Sequence, residues 1–153
     1  MAVLTLLVCS CATPVPLSLP IDVVGDGEHG VVLLQAILVV NPGTVCRRAT
    51  DGDEWLRLRV QMGWEVSSLA ADYVDFAVEQ LVVVPLPIGS QLLGTVVSSE
   101  EGVDIVTLDI QRCDQRIPQA CLMRLSRRTC QIAIILRDQE AGEERTLAVY
   151  SGL

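Results

Sequence analysis

The sequence predicts an all-β domain, an antiparallel β-sandwich or jelly-roll-like barrel, with at most one short helix around residues 68–80. Three observations carry this. Val, Leu and Ile supply 52 of the 153 residues, while aromatics make up only 3%. Runs such as Val103–Ile110 (VDIVTLDI) alternate at a period of two, the repeat of a half-buried strand. Clusters of Gly, Pro, Asp, Asn and Ser separate the runs every 10 to 15 residues or so, roughly the spacing expected of strands in a sandwich.

Residues 1–20 are expected to form an extended apolar N-terminal arm, and residues 21–153 a single β-sandwich domain. Val3-Leu4-Thr5-Leu6-Leu7-Val8 has the composition of a strand. Pro14, Pro16 and Pro20 then fix φ and remove backbone donors, so TPVPLSLP is extended and polyproline-like. A sticky strand on a stiff tether suits an arm that reaches across a neighbour. The alternative is a first strand in the domain's own sheet. Val8-Cys9-Ser10-Cys11 also loosely resembles a bacterial lipobox, with Cys11 as acceptor, although no basic residue precedes Arg47.

Val31–Val40 (VVLLQAILVV) is apolar on both faces and reads as a central strand covered twice. Trp55–Met62 alternates, with Leu56, Leu58, Val60 and Met62 inward and Arg57, Arg59 and Gln61 outward. The next stretch fits two patterns. Ser67-Ser68 would cap a helix from Leu69 to Leu81, with Leu69, Tyr73, Phe76, Ala77 and Gln80 on one side. The alternation of Val74, Phe76 and Val78, followed by Val82-Val83-Val84, favours a strand over 72–84 instead. Strands over 92–98, 103–110, 129–137 and 145–150 complete the set. Turns fall at 25–30, 41–44, 51–54, 85–90, 98–102 and 138–144.

The six cysteines contain no C-x-x-C pair, and His29 is the sole imidazole, so no zinc pattern is present. Cys113 and Cys121 flank the loop DQRIPQA and are the pair suited to a disulfide, worth about 2.5 kcal/mol on the loop-entropy argument. The alternative is that the cysteines are small buried apolar side chains.

Motifs for chemistry are sparse. Asp22, Asp26, Glu28 and His29 crowd the glycine-rich stretch IDVVGDGEHG, but their spacing fits no calcium loop and a solvated turn accounts for them. Asp51-Gly52-Asp53-Glu54 echoes such a loop only in part and reads as a charged hairpin tip. All 11 cationic residues are Arg, so no Walker lysine exists, and there is no G-x-S-x-G elbow. No catalytic, cofactor-binding or metal-binding residue is expected. No run of 18 apolar residues exists to form a membrane-spanning helix.

The net charge of −8 disfavours nucleic acid as a direct partner. Charge is segregated: acids dominate 49–109, and six Arg with one acid occupy 112–137. Such blocks suit either pairing within the fold or complementary patches for head-to-tail assembly. The expected function is therefore a non-enzymatic structural or assembly protein. The favoured form is a small virion component, a phage head decoration (cement) protein stabilising a capsid lattice. A tail-tube, terminator or neck subunit, and an exported lipoprotein-type β-sandwich binding module, are the alternatives. The expected partners are further copies of the chain and a larger scaffold such as a major capsid protein, with no membrane. The expected location is the virion, or the cell envelope if the chain is processed at Cys11. Val3, Leu4, Leu6, Leu7, Arg124, Arg127 and Arg128 are the candidate interface residues.

Overall fold

Alternation in the 103–110 run puts Val106, Leu108 and Ile110 on one face and Ile105, Thr107 and Asp109 on the other. In the computed structural model, which describes residues 23–25, 30–63 and 74–153, this run is the middle strand of a five-stranded sheet. The strands, in chain order, are β1 (Val23–Gly25), β2 (Val32–Val39), β3 (Arg47–Ala49), β4 (Glu79–Leu86), β5 (Ser90–Glu100), β6 (Val103–Arg112), β7 (Gln119–Ser126), β8 (Gln131–Asp138) and β9 (Glu143–Tyr150). The larger sheet is ordered β1-β5-β6-β8-β9, with β1–β5 and β6–β8 parallel. The smaller sheet is ordered β2-β7-β4-β3 and is antiparallel throughout. Because β7 lies in the opposite sheet, β6 and β8 can run parallel as neighbours.

The two sheets close over one aliphatic core. Ile37, Val82, Val84, Met123 and Leu125 of the smaller sheet share a cluster with Val97, Val106, Leu108, Ile132 and Ile134 of the larger. The architecture is thus an all-β sandwich, as the sequence predicts. A two-residue turn joins β5 to β6, with Glu101 and Gly102 both at positive φ (49° and 81°), the twist that suits a tight hairpin.

Residues 55–62 depart from the expected strand. Gly52–Met62 is an α-helix, α1. Asp51 caps it, its Oδ1 accepting from Glu54 N at 2.8 Å, while Glu54 Oε2 accepts from Thr50 N at 2.7 Å. This is close to the reciprocal arrangement of a capping box. Trp55, Leu58, Arg59 and Met62 are buried, at helical spacing, whereas Leu56 and Val60 are exposed. The DGDE stretch is consequently a helix start and not a hairpin tip. Gly63 ends the helix at φ +82°, and a Cβ there would stand 2.7 Å from Asn41 Oδ1, so both conformation and crowding call for glycine. Asn41 in turn donates its backbone N–H to Met62 O at 3.0 Å.

The helix covers the outer face of the smaller sheet, where Trp55, Leu58 and Met62 meet Leu38, Leu81, Val83, Ala120 and Leu122. That second layer explains why β4 and β7 are apolar on both faces. Three other expectations need adjustment. The strand at 31–40 is present as β2, but among the described residues it is an edge and not a central strand. The inner strands of that sheet are β7 and β4, and β7 has no counterpart among the predicted strands. Of the stretch 72–84, residues 76–78 form a turn and β4 begins at Glu79. Residues 1–22 and 26–29, with the arm, Cys9, Cys11, Asp22, Asp26, Glu28 and His29, lie outside the described residues, as do 64–73 with most of the helix proposed around 68–80.

Candidate interaction site

Part of the segregated charge seen in the sequence pairs up within the fold, through Arg124, Arg128 and Arg137. Arg124 of β7 lies across from β4, its Nε 3.5 Å from Glu79 Oε2. Arg128, just after β7, reaches Asp104 Oδ2 at 3.0 Å. Arg137 of β8 grips Asp109 of the parallel neighbour β6 through two contacts, 2.6 and 2.9 Å. Arg127 donates to the carbonyls of Phe76, through its guanidinium, and Val78, through its backbone N–H, and so ties down the turn before β4. The three arginines expected at an interface are therefore half-buried and engaged with their own chain.

Asp104 is the most demanding of these groups. It is only 2% exposed and sits at the end of the sandwich interior, on the same face of β6 as Val106. Ser99 Oγ (2.5 Å), Arg128 Nε and Cys130 Sγ (both 3.0 Å) donate to it. Burial pushes its carboxyl up, but hydrogen bonds from Ser99, Cys130 and Arg128, with the Arg128 charge, outweigh that and hold it below the usual range. Burial and the adjacent Asp104 carboxylate raise the Cys130 thiol, which stays protonated and can donate. Hydrogen bonding from Arg137 lowers Asp109 similarly. Asp104 and Asp109 face opposite sides of β6, as their spacing requires.

Cys113 and Cys121 are not joined. Both are free thiols: Cys121 lies in the inter-sheet core beside Gln35 Nε2 (3.1 Å), and Cys113 Sγ accepts from Gln115 N in the loop after β6. Burial raises the Cys121 thiol to about 12. With a thiol-reactive probe at pH 8 in native buffer, Cys121 should stay unlabelled while Cys113 reacts. Peptide mass mapping checks this, and full labelling of both only in denaturant is the expected contrast.

Two open features bear on docking. The first is a groove between α1 and the β2–β3 connection, with a cavity of about 220 Å³ lined by Thr44, Val45, Arg47, Leu58, Gln61 and Met62. Arg48, Glu54 and Arg57 continue the wall beyond Arg47. Arg47 and Arg57 are exposed, and neither makes an ion pair among the described residues. Arg48 is fixed by stacking over the Tyr150 ring, 4.9 Å from its centroid, and by donating to Ser151 O.

The second is β2, an edge strand among the described residues, in which Val39 already has a partner. Its sequence, VLLQAILV, carries no charge, proline or glycine over eight residues. Two other edges are blunted: β3 has three residues and carries Arg47 and Arg48, and β9 carries Glu143, Glu144 and Arg145. Gln35 Nε2 donates to Thr95 Oγ1 at 2.7 Å, which places β2 over β5. Since β1 pairs with β5 at Thr95, β1 and β2 lie along one side of the sandwich. Among the described residues no group of His, Cys, Asp or Glu could hold a metal ion, and no helix is long and apolar enough to cross a membrane. Comparison with protein-family models, curated proteins and solved structures finds no match.

Proposed function

We propose that this chain is a non-enzymatic assembly module that joins a larger protein structure by accepting an added strand along β2. Residues 32–38 of β2, uncharged and at the edge of their sheet among the described residues, carry the reading. Natural sheets blunt such edges with charge, proline or brevity, because unpaired N–H and C=O groups template pairing with another chain. Among the described residues that protection is present on the β3 and β9 edges and lacking along residues 32–38, which suits strand addition. The apolar stretch containing Val3, Leu4, Leu6 and Leu7 has the residue types that such a donated strand needs. A decoration subunit on a virion lattice, with a major capsid protein as scaffold, is the form of this role proposed first.

Native mass spectrometry of the complex that purifies with the full chain, paired with hydrogen exchange, tests the reading. The expected result is a multi-copy complex in which β2 amides exchange at least tenfold more slowly than in the free domain. Equal exchange in both states, or a chain that forms no complex, would count against it. A capsid-sized particle distinguishes the virion form; a mature chain beginning at Cys11 would favour the exported binding module.

A further inference from the structure

We propose that a second copy of this chain docks head to tail, the acidic β8–β9 hairpin tip of one copy seating in the arginine-lined groove beside α1 of the next. The groove presents Arg47, Arg48 and Arg57 around an apolar floor of Leu58 and Met62. Glu54 is the one acid in the wall beside these three arginines, so the groove keeps a positive surplus that a counter-charge from elsewhere can answer. The tip supplies it. Residues 138–144 read DQEAGEE, and Glu140, Glu143 and Glu144 are all exposed. Asp138 Oδ1 accepts from Glu140 N and Ala141 N, both at 3.0 Å, and Gly142 takes φ +67°, so the tip is a defined turn. Glu144 is shared with Arg137 at 3.6 Å, which leaves Glu140 and Glu143 without an ion pair among the described residues.

One molecule cannot satisfy itself. The tip begins β9, and Tyr150, which ends it, is the residue on which Arg48 stacks. At about 3.4 Å per residue, the eight-residue strand holds the tip roughly 24 Å from the groove end. Donor and acceptor thus sit at opposite ends of the same strand, and only another copy can bring them together. Such a contact is heterologous, so it closes into a ring or propagates as a filament. Rim charges of this kind set salt dependence and register. The contact does not use the edge of β2, so it stands or falls separately from strand addition.

Charge reversal tests it by sedimentation velocity of the full chain. Wild type should self-associate at low salt, with association weakened about tenfold or more between 25 and 250 mM salt, because screening shortens the reach of exposed charges. R47E/R57E and E140R/E143R should each be monomeric, since each chain then carries a tip and a groove of the same sign. Mixed together they should associate again, because each tip now meets a complementary groove on the other variant. All four positions are exposed, and far-ultraviolet circular dichroism verifies the fold of each variant. A wild type that is monomeric at low salt, variants that associate as wild type does, or a mixture that stays monomeric would each overturn the proposal. Binding of an acidic peptide by a wild type that remains monomeric would also overturn it and assign the groove to a different partner.

Discussion

Leu58→Ala is expected to destabilise the domain by about 3 kcal/mol, and Leu56→Ala by no more than about 0.5 kcal/mol, in urea unfolding monitored by tryptophan fluorescence. Two residues apart in the sequence, they are equivalent if the segment is a strand. In a helix they point about 200° apart around the axis. Leu58 is 5% exposed and packs with Trp55, Met62, Leu81 and Leu122 over the smaller sheet. Leu56 is 47% exposed, so truncating it removes little buried surface. The loss at Leu58 stays near the lower part of the range for buried leucines, since the residue also borders the groove and the void can fill with water. Equal costs at the two positions would restore the strand and remove the second layer of the fold.

That pair also shows where the sequence was legible and where it misled. WLRLRVQM satisfies both periods, with Leu56, Leu58, Val60 and Met62 for a strand and Trp55, Leu58, Arg59 and Met62 for a helix. The helical set contains an arginine, which reads as an outward residue. In the fold Arg59 is 4% exposed and its guanidinium carbon lies 5.8 Å from the Trp55 ring centroid. A long aliphatic stem and a flat cation can occupy a core face in that way. The deciding signal was local and present: Asp51 followed three residues later by Glu54 is a helix-start pair. Strands bounded by turns, such as β5, β6, β8 and β9, were legible because one period and clear punctuation agreed. β7 was not, because a strand covered on both faces loses its alternation, and Arg124 at its middle suggested a surface.

The interaction site was less legible for a different reason. Arg124, Arg127 and Arg128 cluster in the sequence, which fits either an acidic partner surface or pairing with acids on an adjacent strand. In space they are spent on Glu79, Phe76 O and Asp104. Arg47, Arg48 and Arg57 line the same groove only because α1 folds back beside β3. Sequence distance carries no such information.

Asp104→Ala is expected to cost about 3 kcal/mol at pH 7, close to the value for removing one partner of a buried ion pair. Three donors converge on this carboxylate, and its loss leaves Ser99, Arg128 and Cys130 without their acceptor at the end of the core. Asp104→Asn is the sharper variant, because it keeps the volume and one carbonyl oxygen but removes the charge that Arg128 answers. It should lose most of the same stability. The pH profile separates electrostatics from packing. The carboxyl is held below its ordinary value in the folded chain, so on the acid side the unfolded chain binds more protons. Its contribution is complete above the unfolded carboxylate pKa of about 3.9 and disappears as pH falls through the lowered folded value. In urea unfolding from pH 7 to pH 2, wild type should therefore lose stability steeply below about pH 4. Asp104→Asn should start lower and fall less steeply there, the remaining slope coming from Asp109 and its lowered carboxyl. Parallel profiles for the two proteins would mean that Asp104 contributes by packing alone and that its pairing with Arg128 carries no net stabilisation.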